Sequence, residues 1–145
     1  MNYKKEVAER IATIPNFSFI QLNGKAFSQK ELQENSNTLF VYYNSECEYC
    51  QSEALQIREN LVGFKNTQVI FISFEPMEEI LKFATAYQLD QSPNVLFLHD
   101  SKSAFSELFD ANSIPFMLLY NSEQKLLQKF KGATKIANVV KHLPN

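Results

Sequence analysis

The stretch Thr38-Leu39-Phe40-Val41-Tyr42-Tyr43-Asn44-Ser45-Glu46-Cys47-Glu48-Tyr49-Cys50-Gln51-Ser52-Glu53 decides the reading of this chain. Its first six residues carry no charge and are rich in β-favouring side chains, so they read as a buried strand. Residues 51–61 read as a helix, which Gly63 ends. Cys47 and Cys50 fall between strand end and helix start, one helical turn apart, and they are the only cysteines in 145 residues. The first turn of a helix offers free N–H groups and a partial positive charge, which stabilise a thiolate. A thiolate, not a thiol, attacks a disulfide. A dithiol at this junction is placed for redox chemistry.

The flanks read outward from there. Residues 68–74 form a second strand, apolar on both faces, as in a sheet covered on both sides. Pro76 opens a helix over 77–88, with Ile80, Leu81, Phe83, Ala84 and Tyr87 available for packing. Residues 94–99 are a third strand and 102–109 a short helix. Ile114-Pro115 stands immediately before the strand 116–120. The turn 121–124 leads to a hairpin partner over 125–130, Gly132 ends it, and a helix over 134–142 closes the chain. On the N-terminal side, 3–14 is an amphipathic helix with Val7, Ile11 and Ile14 on one side. A hairpin follows, with 17–22 turning at Asn23-Gly24 into 25–27. Ser28 and Glu31 form a capping box that opens a short helix to about Asn35. The helix after the dithiol carries Leu55, Leu61 and Val62 as its apolar positions. This order implies a three-layer α/β domain with a mixed sheet. Ligand chemistry in such sheets sits beyond the carboxyl ends of the strands, where the dithiol falls.

The totals agree with one domain over 1–145, with 1–14 as an N-terminal extension. Three Gly and five Pro leave little material for a linker. Thirteen Phe and six Tyr promise an aromatic core. A net charge of -2 with scattered signs argues against nucleic acid. No apolar run approaches the length of a membrane span. Lys4 and Lys5 give a basic start, but Pro15 and Asn16 halt the apolar run of Ile11-Ala12-Thr13-Ile14, so this is not a signal peptide. Two placements remain: the cytoplasm if Met1 is the true start, the periplasm or cell envelope if a leader has been removed.

Each motif has a rival reading. A structural bridge or a zinc knuckle would also use two cysteines, but zinc needs further ligands. Only His99 and His142 are on offer, with no short spacing between them, and both read as structural or surface residues. No cofactor is implied. Ile114-Pro115, beside a dithiol, is expected to be cis and to expose backbone groups to an extended thiol substrate, although most X-Pro bonds are trans. Glu53 lies on the helix face of Cys50. It reads either as a solvated carboxylate or as the base that takes a proton from Cys50. Glu46 and Glu48 flank Cys47 and disfavour its thiolate, which leans the pair toward the reducing side. Tyr49, between the cysteines, reads as exposed and able to touch a partner.

These residues together resemble the thioredoxin-like thiol-disulfide oxidoreductases, and among them the TlpA/ResA-like group. That group is related to the alkyl hydroperoxide reductase/thiol-specific antioxidant proteins. Pro15-Asn16-Phe17-Ser18-Phe19 with Asn23-Gly24-Lys25 resembles the opening hairpin, and Cys47-x-x-Cys50-x-x-Glu53 the active-site motif with its carboxylate. Ser113-Ile114-Pro115 resembles the cis-proline loop, and 77–93 the inserted segment between the two halves. The resemblance implies a thioredoxin-like fold with helices on both faces of a mixed sheet. It implies Cys47 as attacking thiol, Cys50 as resolving thiol and Glu53 as proton carrier. By the resemblance Pro115 would shape the substrate groove and Ile114 would offer it backbone contacts. The implied partners are protein thiols or disulfides and an upstream reductant, met by a monomer. Three positions depart from the pattern: Glu46 replaces a Trp, Leu55 a Pro, and Val41 the buried acid of thioredoxins. Two other activities use similar residues: a copper(I)-delivery or docking module, and a thiol peroxidase. The peroxidase needs a Pro/Thr-rich pocket and an Arg that Ser45-Glu46-Cys47 does not supply.

Overall fold

A computed structural model describes residues 3–144. Its centre is built where the sequence is most apolar. β3 (Asn37–Tyr42) and β4 (Thr67–Ser73) are buried at every position and pair in parallel, Phe40 opposite Ile70. β5 (Val95–His99) extends the sheet in parallel beyond β4. β6 (Phe116–Tyr120) runs antiparallel on the other side of β3, followed by β7 (Leu126–Lys131). The N-terminal hairpin of β1 (Ser18–Gln21) and β2 (Ala26–Ser28) closes the far edge by pairing β1 with β5. The seven strands stand in the order β2-β1-β5-β4-β3-β6-β7.

Successive strand residues point to opposite faces, so each central strand feeds two cores. Leu39, Val41, Val69, Phe71, Met117 and Leu119 face one core. α2 (Glu48–Glu59), α3 (Met77–Ala86) and α5 (Ile136–Lys141) cover it with Ala54, Ile57, Ile80, Phe83 and Val139. Phe40, Tyr42, Ile70, Ile72 and Leu118 face the other. That core is filled by Phe105 and Phe109 around α4 (Phe105–Leu108) and by Ile14, Phe17 and Phe19 from the N-terminal segment. The result is the expected three-layer α/β domain with a mixed sheet.

Several elements differ from their sequence reading, each for a local reason. α1 (Tyr3–Ile11) stops short of Ile14. The chain after it is extended and pairs with the β6–β7 hairpin through Thr13 opposite Lys125 and Ile14 N–H to the Gln124 carbonyl at 3.1 Å. The helix expected up to Asn35 is one 3-10 turn over Gln29–Glu31. The Glu31 carboxylate does reach back to the Ser28 N–H, at 2.8 Å, but the Ser28 hydroxyl donates to that carboxylate. Leu32 then leaves the helix to bury itself in the second core. The helix expected over 102–109 shrinks to α4 because Ser103 is left-handed, at φ 51. The buried carboxylate of Asp100 takes the N–H groups of Ala104 and Phe105, which fixes its start. On α2 the buried residues are Cys50, Glu53, Ala54 and Ile57, while Leu55 is exposed; α2 ends at Glu59, and Val62, in the 3-10 turn Leu61–Phe64 after it, is exposed too. A helix face repeats at three and four residues, and Leu55 is one step off the face that Cys50 starts. Leu81 likewise sits on the exposed side of α3.

Candidate active site

β3 ends at Tyr42, and the chain turns through 43–46 into α2. Cys47 is the N-cap of that helix: its sulfur accepts the N–H of Cys50 at 3.2 Å. Both cysteines are free thiols. They differ sharply in access. Cys47 is half-exposed, whereas Cys50 is 2% exposed and packs in the core beneath α2. Burial pushes the Cys50 thiol well above its ordinary range, and the hydrogen bond with Cys47 adds to this. The pair is thus asymmetric, with one sulfur open to a partner and one held neutral behind it.

Glu53 lies one turn further along α2 and is 2% exposed. Its Oε2 accepts the Thr134 N–H at 3.0 Å from the loop before α5, while Oε1 is buried without a partner. Gln56, a turn beyond, accepts the Ile136 N–H at 3.0 Å, so α2 and α5 are clipped together beside the carboxylate. Burial raises the Glu53 pKa from 4.5 to about 7, opposed in part by the Thr134 bond. Its charge in turn disfavours a Cys50 thiolate. This carboxyl therefore changes protonation near neutral pH, next to the buried thiol.

The raised titration of Glu53 has a consequence for stability. The protonated form is the one the fold favours, so its contribution is complete below pH 4.5 and is lost as pH rises through about 7. Glu53→Gln, which stays neutral, is expected to gain on the wild type over that window. The gain reaches at most about 3 kcal/mol by pH 8, since the pKa moves from 4.5 to about 7 and one pH unit is worth about 1.4 kcal/mol. Urea unfolding of both proteins at pH 4.5 and pH 8 checks it. A constant gap between them contradicts the burial of an ionisable Glu53.

The Ile114–Pro115 segment leads into β6, next to the end of β3 from which the dithiol loop departs. The Ile114–Pro115 peptide bond is cis. Pro115 directly precedes Phe116, which pairs with Tyr42 at the end of β3. The Pro115 carbonyl accepts the Gly132 N–H at 2.9 Å, whereas the Ile114 backbone has no hydrogen-bond partner among the described residues. Ile114 itself is half-buried between the two cores. Tyr49 is 63% exposed. It lines an open pocket of about 350 Å³ with Glu53, Gln56, Thr134 and Lys135. Glu46 and Glu48 are exposed on either side of Cys47. The structure thus brings Cys47, Cys50, Glu53 and Tyr49 together on α2, with Ile114 and Pro115 on the neighbouring strand's approach. The two histidines lie elsewhere: His99 ends β5 opposite Ser73, and His142 stacks its edge on Phe130 at the end of α5. Among the described residues no group of three His, Cys, Asp or Glu is disposed to hold a metal. No helix among them is long and apolar enough to cross a membrane.

Sequence reasoning missed Glu75, Gln51 and Thr134. The Glu75 carboxylate bonds Ser45, two residues before Cys47, and the Gln51 amide donates to the Ser45 carbonyl at 2.8 Å. Glu75 had one usable signal, a carboxylate at the carboxyl end of a central strand.

Residues 12–139 match the AhpC/TSA family. Among curated proteins none matches the chain significantly in sequence. A thioredoxin-like protein from Aeropyrum pernix superposes with a TM-score of 0.72 at 18% identity, over 97% of this chain and 96% of that one. A secreted Mycobacterium tuberculosis disulfide oxidoreductase homologous to E. coli DsbE gives 0.75 at 14%, over 92% and 96%. Copper-bound ScoI of Arabidopsis thaliana gives 0.68 at 15%, over 88% and 95%. These likenesses establish the thioredoxin-like fold, which serves different chemistries, so the activity has to be argued from the site.

Proposed function

The chain belongs to the AhpC/TSA family, and from that premise we propose that it is a thiol-disulfide oxidoreductase of the TlpA/ResA-like kind, acting on protein partners as a reductant. The observation that carries this reading is the asymmetry of the dithiol: a half-exposed Cys47 at the start of α2 and a buried Cys50 one turn on, whose N–H bonds the Cys47 sulfur.

The exchange runs in two steps. The Cys47 thiolate attacks one sulfur of a partner disulfide, forming a mixed disulfide and releasing the partner's other sulfur as a thiolate. Cys50 then attacks the Cys47 sulfur, its proton passing to the Glu53 carboxylate, and the second partner sulfur leaves. The partner gains two electrons and the Cys47–Cys50 pair becomes a disulfide. A dithiol reductant upstream returns it to the thiol state. Pro115 shapes the groove in which an extended partner lies, Ile114 offers its unpaired backbone groups, and Tyr49 offers an exposed ring. The setting is the periplasm or cell envelope if a leader precedes Met1, and the cytoplasm if Met1 is the start. The working unit is a monomer.

The reading is tested by insulin-disulfide reduction with dithiothreitol as electron source, followed by the turbidity of the released chains. Catalysis well above the dithiothreitol blank is expected. A rate equal to the blank, together with tight copper(I) binding by the reduced protein, would favour a metal-carrying module on the same fold.

A further inference from the structure

Glu75 has no part in the exchange described above, yet it is bonded into the loop that carries Cys47. It stands just beyond β4, in the turn before α3. Its Oε1 accepts the Ser45 N–H at 2.9 Å and the Ser73 hydroxyl at 2.9 Å, and its Oε2 accepts the Ser45 hydroxyl at 2.7 Å. The Ser73 hydroxyl also accepts the Glu75 N–H at 3.1 Å, which closes the turn on itself. The Tyr43 N–H donates to the Ile72 carbonyl of β4 at 3.1 Å, and other polar groups of the turn are bonded locally. Asn44 Oδ1 accepts the Glu46 N–H at 2.8 Å, the Asn44 carbonyl accepts the Cys47 N–H at 3.3 Å, and Gln51 donates to the Ser45 carbonyl. Among the described residues, Glu75 is thus the side chain that ties Ser45 to the turn after β4. Bonds to a carboxylate are about twice as strong as those between neutral groups, and three converge here.

We propose that Glu75 is a positioning residue for the thiol exchange: it locks Ser45, and through it the turn 44–47, so that the Cys47 sulfur is held at the first turn of α2. The inference rests on the dithiol being the reacting centre. Exchange needs the attacking sulfur in line with the partner's disulfide, and displacements of about 1 Å at a reacting atom can cost 10²-fold.

The test compares Glu75→Ala with Glu75→Gln. The glutamine keeps an oxygen for the Ser45 N–H, and the Ser45 hydroxyl can turn to accept from its amide. In Glu75→Ala, amide hydrogen exchange at Ser45, Cys47 and Cys50 is expected to quicken while the amide of Phe71 in β4 keeps its protection. Its kcat for insulin reduction is expected to fall roughly tenfold at unchanged KM. Glu75→Gln is expected to restore both to within about twofold of the wild type. Unchanged exchange at Cys47 and Cys50 in a folded Glu75→Ala, or quickened exchange with a wild-type kcat, overturns the proposal. If Glu75→Ala does not fold, Ser45→Ala removes the Oε2 bond alone; a smaller fall in kcat is expected, and a wild-type value overturns the role. The exchange measurement needs no turnover. A wild-type protein inert toward insulin would therefore count against the proposed function, leaving the loop measurement to judge Glu75.

Discussion

Cys47→Ser is expected to reduce no insulin above the reductant blank, whereas Cys50→Ser reacts once and stays joined to its partner. The difference follows from access. A partner disulfide can reach only the half-exposed Cys47, since Cys50 lies in the core at 2% exposure. A serine at 47 has no thiolate to offer, and a hydroxyl does not exchange with disulfides. With serine at 50, the first attack still occurs, but nothing behind Cys47 displaces the partner. Mixing each reduced variant with oxidised insulin and resolving the products on non-reducing gels checks both expectations. A covalent adduct is expected for Cys50→Ser and none for Cys47→Ser. An adduct in Cys47→Ser would reverse the assignment of the two thiols.

The second large effect concerns the fold. Phe40→Ala is expected to destabilise the protein by about 3–5 kcal/mol, the range for emptying a buried phenylalanine site. Phe40 is fully buried on the face of β3 opposite the dithiol. Its ring lies 4.8 Å from Phe109, 5.7 Å from Phe17 and 5.9 Å from Tyr120, centroid to centroid. One side chain therefore joins β3, β6, the α4 region and the segment before β1. Rings arranged edge-on or offset add about 0.5–1.5 kcal/mol per pair beyond their buried area. The cavity cannot close easily, because its walls belong to four separate elements. Urea unfolding measures the loss, and a change under about 1 kcal/mol contradicts this packing. The dithiol is on the other face, so the folded fraction is expected still to form the Cys47–Cys50 disulfide.

What was legible in the sequence is what is local in the chain. The strand, the dithiol and the helix follow one another within residues 37–59, and Glu53 shares a helix face with Cys50. The uncharged runs that become β3 and β4 show themselves because a strand covered on both faces needs apolar residues at every position. What was not legible depends on contacts between distant segments. Glu75 meets Ser45 across 30 residues, and Thr134 meets Glu53 across 81. No spacing rule reports such pairs. Leu55 misled for a related reason: an apolar residue on a helix is visible in the sequence, but its side of the helix is set by Cys50, Ala54 and Ile57. The segment 12–14 looked helical because its apolar residues continue the α1 pattern, yet the β6–β7 hairpin offers it backbone partners that a free helix end lacks.

The lean toward reduction rests on Glu46 and Glu48, both exposed beside Cys47. The most direct measurement is the reduction potential of the Cys47–Cys50 couple, from equilibration in dithiothreitol buffers and counting of free thiols. One two-electron transition is expected near thioredoxin's value of about -270 mV, or below it. A potential near about -120 mV, that of a strong thiol oxidant, or no disulfide between Cys47 and Cys50 at any poise, would contradict it.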